Sequence, residues 1–171
     1  VRVSPAEVAD AVVAAALVGV DDRAVFRSAL RASLVKRARD VPVFDADVMA
    51  RGVPEAVVRI RERVRAAHGV VIATPEYNFS IPGGLKNLLD WLSRGDDQPF
   101  SMKPIAILSA SPGPVGGARV QYDLRKVLLF LSAMPLIQPE VFIVLAVSKF
   151  DAAGQCNDEP TRRFLGDQMA A

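Results

Sequence analysis

The stretch HGVVIATPEYNFSIPGGLKNLLDWLSR, residues 68–94, runs from a strand through a loop into a helix. Residues 70–74 form an almost continuous apolar run, which is typical of a central strand in a parallel sheet. Residues 84–93 repeat apolar side chains at helical spacing, which predicts an amphipathic helix. The loop between them is rich in proline, glycine and polar residues, as connections at a sheet edge are.

The same order of strand, loop and helix returns further along the chain. The other elements predicted from periodicity are strands over 105–110 and 140–147 and helices over 54–67, 120–133 and 159–169. Alternating strands and helices predict an α/β fold with a parallel sheet covered on both faces. Ligands of such sheets bind beyond the carboxyl ends of the strands, which selects the loops 74–84 and 109–117.

Composition narrows the class of protein. The 171 residues suit one domain over 1–171, and 21 Lys and Arg against 19 Asp and Glu leave a net charge of +2. That balance gives no electrostatic case for a nucleic acid or an anionic membrane surface as partner. The single cysteine, Cys156, excludes an internal disulfide and a cysteine-based metal site. The apolar residues 11–20 are too short to span a bilayer and lack a basic leader, so we expect a cytoplasmic protein.

The two loops carry groups that suit a flat ligand with polar edges. Tyr77, Asn78 and Ser80 offer an aromatic face, an amide and a hydroxyl. Ser109 and Ser111 add hydroxyl donors, and the glycines near them allow backbone N–H groups to face a planar ring. The alternative interpretation is a pair of surface loops made rigid for their own stability, and loop chemistry alone does not separate the two.

Three segments resemble one known family. TPEYNFSIPGGLKNLLDWLSR (74–94) closely resembles the signature of the NADPH-dependent FMN reductase family. SASPGPVGGARVQYDLRKVLLFL (109–131) looks like the second loop and helix of that family, and VPVFDADV (41–48) matches it as well. A match of about twenty residues across a strand exit, a loop and a helix is far more specific than a glycine pattern.

The resemblance implies a flavodoxin-like three-layer α/β fold that binds FMN at the carboxyl edge of its sheet. The implied activity is hydride transfer from NADPH or NADH through flavin N5 to quinones, flavin, chromate or similar small acceptors. The resemblance implies no general acid, general base or metal ion. The family also implies a homodimer or homotetramer, with Arg119, Tyr122 and Glu140 at positions resembling intersubunit contacts. The residues that the family implies for cofactor binding are Pro75, Glu76, Tyr77, Asn78, Ser109, Ala110 and Ser111.

The segment 19–27, GVDDRAVFR, departs from the family's phosphate loop, which resembles GSLRKGSFN. Val20 and Val25 stand at serine positions and Asp22 at an arginine position, which removes donors and adds an anion beside a phosphate. A second hypothesis is therefore a degenerate member of the family that binds no FMN and has a structural or interaction role. A third is a flavodoxin-type electron carrier, which needs a separate reductase.

The amino-terminal quarter has unusual local signals. SPAE, residues 4–7, is a capping box with proline at the first helical position, and the alanines that follow favour a helix over 4–16. The interval from Phe26 to Val41 is also short for a helix and a strand. We expect that this quarter is either remodelled or not fully represented by the sequence.

Overall fold

The structure, a computed structural model, describes residues 12–14, 41–150 and 156–170. Its sheet has strand β3 at the centre, with β2 on one side and β4 and β5 one after the other on the opposite side. Strands β2, β4 and β5 run parallel to β3, whereas β1 pairs antiparallel with β2 at the edge. The strands are β1 Val12–Ala14, β2 Val70–Ala73, β3 Pro104–Ala110, β4 Met134–Pro135 and β5 Val141–Ile143.

Helices cover both faces of this sheet. Ile72 and Ile107 lie in one buried cluster with α2, α3 and α4, whereas Val71 and Leu108 face the other side and pack with α5. The layered α/β architecture predicted from the sequence is confirmed. None of the described helices is long and apolar enough to cross a membrane. The helices are α1 Ala46–Arg51, α2 Glu55–Ala66, α3 Gly83–Leu92, α4 Ala118–Phe130 and α5 Glu159–Ala170, with a 3-10 turn at Ala146–Ser148.

The helix predicted over 4–16 is wrong where the structure describes it. Val12, Val13 and Ala14 form β1 and pair with Ala73, Ile72 and Val71 of β2. Pairing with an existing strand outweighs the weak helix propensity of a short alanine-rich segment, and two valines favour the extended conformation. The rest of that prediction lies outside the described residues.

The strand predicted over 140–147 is shorter in the structure. Strand β5 covers only Val141–Ile143, and the chain then turns through Leu145, which has φ 49°, into the 3-10 turn. The apolar run predicted a longer strand because its last residues are equally apolar. In the fold those residues fasten a loop instead of extending the sheet.

The segment before α1 is fixed to α3 by polar and aromatic contacts. Trp91 Nε1 and Asn87 Nδ2 both donate to the carbonyl of Pro42, at 2.8 and 2.9 Å. The Phe44 N–H donates to Asn87 Oδ1 at 2.7 Å, and the Phe44 ring meets Trp91 edge-on with centroids 5.0 Å apart. Trp91 is fully buried, so these contacts fix the segment to the hydrophobic core.

Asp158 caps the first turn of α5, and its effect on stability should depend on pH. Hydrogen bonds from the Thr161 hydroxyl and then the Thr161 N–H hold the pKa of Asp158 below its ordinary value. A carboxyl whose pKa is lowered by folding stabilises the protein above its unfolded pKa, and this is lost as the pH falls through the folded pKa. We therefore expect Asp158→Asn to lower Tm at neutral pH and the difference from wild type to shrink in acid.

Thermal unfolding followed by circular dichroism between neutral pH and pH 3 measures this difference. Asp167→Asn is the matched control, because Asp167 lies on the same helix and contacts only Arg163, at 3.9 Å, among described residues. A difference for Asp158→Asn that stays constant over the whole range would contradict the assignment.

Candidate functional site

Two loops leave the sheet side by side because β2 and β3 are neighbours and parallel. Residues Val70 to Ala73 pair in register with Ile105 to Leu108, so both strands end at the same edge. The Thr74 N–H continues the ladder by donating to the Leu108 carbonyl at 2.9 Å. The two loops that the sequence singles out therefore start next to each other at the carboxyl edge of the sheet.

The first loop contains a tight turn whose backbone conformation is energetically unfavourable. Tyr77 N–H donates to the Ser80 carbonyl at 3.1 Å, and Ser80 N–H returns a bond to the Tyr77 carbonyl at 2.9 Å. Between them Asn78 has φ 50° and Phe79 has φ 66°, as in a type I′ turn. A bulky residue such as Phe79 in the left-handed region costs about 1–3 kcal/mol, so the surroundings must hold this turn.

Several polar groups of the first loop face outward. Tyr77 is 44% exposed, and its hydroxyl makes no hydrogen bond with any residue that the structure describes. Within the same described part of the chain, the Asn78 side chain and the N–H groups of Glu76 and Asn78 also lack partners. An aromatic face, an amide and free N–H groups on one turn fit a planar heteroaromatic ring with polar edges, as the flavin ring is.

The side chain of Glu76 points to helix α4 and not to solvent. Its Oε1 accepts from Arg119 Nη1 at 3.0 Å, and its Oε2 accepts from the N–H of Val120 at 3.2 Å. The carboxylate is only 12% exposed. The carboxylate therefore accepts hydrogen bonds from both a side chain and a backbone N–H of the first turn of α4.

A second contact ties the tip of the first loop to α4. Ser80 Oγ donates to Asp123 Oδ2 at 2.9 Å, and Lys126 Nζ donates to Asp123 Oδ1 at 3.0 Å. The hydrogen bond from Lys126, and to a smaller extent the one from Ser80, holds the pKa of Asp123 below its ordinary value. Asp123 is therefore a charged acceptor for Ser80 at neutral pH.

The second loop is built around two serine hydroxyls. Ser109 is buried; its Oγ donates to the Gly116 carbonyl at 2.7 Å and accepts from Gln121 Nε2 at 2.7 Å. Ser111 Oγ donates to the Gly113 carbonyl at 3.1 Å and accepts from the Gly116 N–H at 3.0 Å. Both hydroxyl protons are thus used inside the loop, so a ligand contact in this region falls to other groups of the segment, which includes the half-buried Ala110.

Sequence reasoning missed that residues 143–146 hold the second loop in place through backbone hydrogen bonds. The Leu145 and Ala146 N–H groups donate to the carbonyls of Gly113 and Ser111, at 3.1 and 2.9 Å, and Ser111 N–H donates to the carbonyl of Ile143 at 3.0 Å. A uniformly apolar stretch over 140–147 gave no signal for these backbone bonds.

Gln121 was also missed, although the sequence contains a signal for it. Gln121 stands three and seven residues before the buried Leu124 and Leu128, at a helical spacing where an apolar side chain is expected. Its Nε2 also donates to the Val141 carbonyl at 2.8 Å, so one buried amide links Ser109 to β5. A polar residue within the apolar stripe of a helix therefore indicates a buried side chain that joins two segments by hydrogen bonds.

The predicted phosphate loop, residues 19–27 with Val20, Asp22 and Val25, lies outside the described residues. The structure therefore describes the part of the candidate site that the two loops form. Among the described residues, no group of three or more His, Cys, Asp or Glu side chains is placed to hold a metal ion.

Comparison with known proteins gives a consistent result. The family model described as NADPH-dependent FMN reductase matches residues 7–147. An NAD(P)H-dependent FMN reductase of Pseudomonas aeruginosa is 50% identical over 131 residues, covering 77% of this chain and 71% of the relative. A quinone reductase of Escherichia coli (strain K12) is 48% identical over 134 residues, again covering 77% and 71%. The solved flavoenzyme NAD(P)H:(acceptor) oxidoreductase FerB of Paracoccus denitrificans superposes with a TM-score of 0.71 at 34% identity, covering 78% of this chain and 73% of FerB.

Proposed function

Because the chain belongs to the NADPH-dependent FMN reductase family, we propose that its two neighbouring loops hold the isoalloxazine ring of FMN. The chain is an FMN-dependent NAD(P)H oxidoreductase with a flavodoxin-like fold. The first loop carries outward groups that have no partner among the described residues, and it lies beside the second loop at the carboxyl edge of the sheet. This observation carries the proposed ring site.

Each residue of the proposed site has a specific part. Tyr77 and Asn78 offer the aromatic face and the amide, while Glu76 contributes through its N–H. The buried Pro75 stiffens the chain ahead of them, so less entropy is lost on binding. On the other side of the ring the proposal places the segment Ser109, Ala110 and Ser111. When bound, FMN supplies the two-electron chemistry between NAD(P)H and the acceptor, so the chain itself needs to bind and orient.

We propose a quinone as the acceptor, with free flavin second. The name of the 48% identical quinone reductase supports the first, and the name of the 50% identical FMN reductase supports the second. A cytoplasmic location is the matching proposal, because NAD(P)H is the electron donor there.

We also propose a homodimer or homotetramer. Tyr122 is 51% exposed, and its hydroxyl donates to Glu140 at 3.2 Å within the chain. Tyrosine is enriched in protein interfaces relative to the rest of the surface, and this exposed ring supports an interface here. Analytical ultracentrifugation of the purified protein measures the assembly directly.

A visible absorption spectrum before and after addition of FMN and NADPH tests the proposed function. A flavin band that bleaches with NADPH in the absence of another protein is expected. The absence of any band with excess FMN would favour the FMN-free hypothesis. Reduction only in the presence of a separate reductase would favour the electron-carrier hypothesis.

Asn78→Gly tests the proposed ring site without straining the turn, because glycine adopts the positive φ that residue 78 needs. Loss of one amide contact should raise the Kd for FMN by several-fold up to about ten-fold. Asn157→Gly is the matched control, since Asn157 is exposed and remote in sequence from both loops. Fluorescence titration of FMN measures both, and equal Kd values would remove Asn78 from the site.

A further inference from the structure

The strained turn of the first loop is held mainly by one end of helix α4. Both central residues of the turn have positive φ, and neither is glycine. Besides the turn's own two backbone bonds, the polar and cation–π contacts that described residues make with it come from the first two turns of α4. The guanidinium of Arg119 lies 4.4 Å from the centroid of the Phe79 ring, and Asp123 accepts from Ser80. The conformation of the loop therefore depends on α4.

Glu76 joins the two elements at a specific place on the helix. The N-cap of α4 is Gly117, which has no side chain to accept a hydrogen bond from the first turn. In a capped helix the N-cap side chain accepts from the second or third N–H, and Val120 is the third residue of α4. The carboxylate of Glu76 takes that bond from the other loop. The positive end of the helix dipole adds to its attraction.

The same carboxylate also fixes Arg119, which in turn covers one face of Phe79. Arg119 is therefore held between Glu76 Oε1 and the Phe79 ring. Both oxygens of Glu76 are occupied by these contacts, and its side chain is largely buried. Through Arg119, Glu76 is thereby linked to Phe79, one of the two central residues of the turn.

We propose that Glu76 is a positioning residue for the flavin site: it caps α4 from the neighbouring loop and thereby holds Tyr77 and Asn78 in the conformation that binds FMN. The proposal rests on the proposed ring site. Without the cap the strained turn relaxes into other conformations. The apparent Kd for FMN then rises by the inverse of the fraction that stays competent. The Glu76 carboxylate itself neither contacts FMN nor transfers a proton.

Three variants separate the two contacts of the carboxylate. Glu76→Gln keeps one oxygen for the Val120 N–H but cannot pair with Arg119, whereas Glu76→Ala loses both contacts. Arg119→Met removes the cation and leaves the cap in place. We expect the FMN Kd to rise several-fold in Glu76→Gln and Arg119→Met and ten-fold or more in Glu76→Ala. The fluorescence of bound flavin should also increase as the ring becomes less enclosed.

A double variant tests whether Glu76 acts through Arg119. Residues that act as one unit have non-additive effects, so Glu76→Gln combined with Arg119→Met should raise the Kd no more than either alone. Arg162→Met is the matched control, because Arg162 forms an exposed ion pair with Glu159 on α5, at 3.5 Å. Its Kd and flavin fluorescence should equal those of wild type. Arg119→Lys should restore most of the affinity.

The outcomes distinguish this proposal from the proposed function. If wild type binds no FMN, the ring site itself fails. If wild type binds FMN and folded Glu76→Ala binds it with the same Kd and fluorescence, the ring site stands and the positioning role is overturned. Loss of FMN affinity in Glu76→Gln with an unchanged Kd in Arg119→Met would also overturn it, since Glu76 would then act directly. We expect circular dichroism of each apoprotein at the titration temperature to show that Glu76→Gln and Arg119→Met are folded.

Discussion

Gly117→Ala is expected to destabilise the protein by about 2–5 kcal/mol and to raise the FMN Kd more than ten-fold. Gly117 has φ 78°, a left-handed conformation that costs an L-residue roughly 1–2 kcal/mol. A Cβ at this position would lie 2.8 Å from Ser109 Cβ and 3.0 Å from Ser109 Oγ. Overpacking of this kind typically costs about 1–3 kcal/mol more.

The clash affects the site because Ser109 cannot move alone. Its hydroxyl is fixed by Gly116 and Gln121, and its backbone belongs to β3. Relief of the contact therefore has to displace the second loop or the start of α4, where the Val120 N–H meets Glu76. Both displacements change the surface against which FMN is proposed to lie.

Gly113→Ala is the matched control within the same loop. Its φ lies outside the left-handed region, and among the described residues its Cβ would meet only Ser111 Oγ, at 4.0 Å. Urea unfolding and FMN titration of both variants give the comparison. If Gly117→Ala is as stable as Gly113→Ala and binds FMN equally well, the loop tolerates a side chain at residue 117 and the close contact has no energetic weight.

Strands β2 and β3 and helices α2 to α4 could be predicted because their signals are local. An apolar run ending at Thr74, and an apolar stripe through Leu85, Leu88 and Leu92, reflect burial that each segment undergoes on its own. Val12 to Ala14 show the opposite case. Local signals favoured a helix there, but the backbone pairs with β2 some sixty residues away in sequence. The local propensity of a segment carries no information about such a distant partner strand.

The same distinction between local signals and contacts distant in sequence applies to the candidate site. The two loops could be selected because parallel strands bring their carboxyl ends together, a rule that needs only the order of elements. The contacts that shape the loops could not, since Glu76 reaches Arg119 across 43 residues and Gln121 reaches the Val141 carbonyl across 20. Which hydroxyl faces a ligand and which is used inside the protein depends on such contacts, as Ser109 shows.

Trp91→Ala is expected to cost about 3–5 kcal/mol of folding free energy, the range for truncation of a large buried aromatic side chain. Trp91 is fully buried, and its indole N–H is bonded to the Pro42 carbonyl at 2.8 Å. The edge contact with Phe44 is lost as well, so the segment before α1 keeps the bonds made by Asn87 and the contact of Arg94 with the Phe44 ring. Trp91→Phe keeps most of the ring volume and should cost only about 1 kcal/mol for the missing hydrogen bond.

The functional consequence of Trp91→Ala should be small wherever the variant is still folded. Trp91 lies in the last turn of α3, whereas the first loop joins the opposite end of that helix at Pro82. We therefore expect a large fall in the urea midpoint but an FMN Kd within a few-fold of wild type at low temperature. Gly117→Ala should change both quantities. A loss of FMN affinity in Trp91→Ala as large as in Gly117→Ala would mean that the core under α3 and the loops form a single cooperative unit.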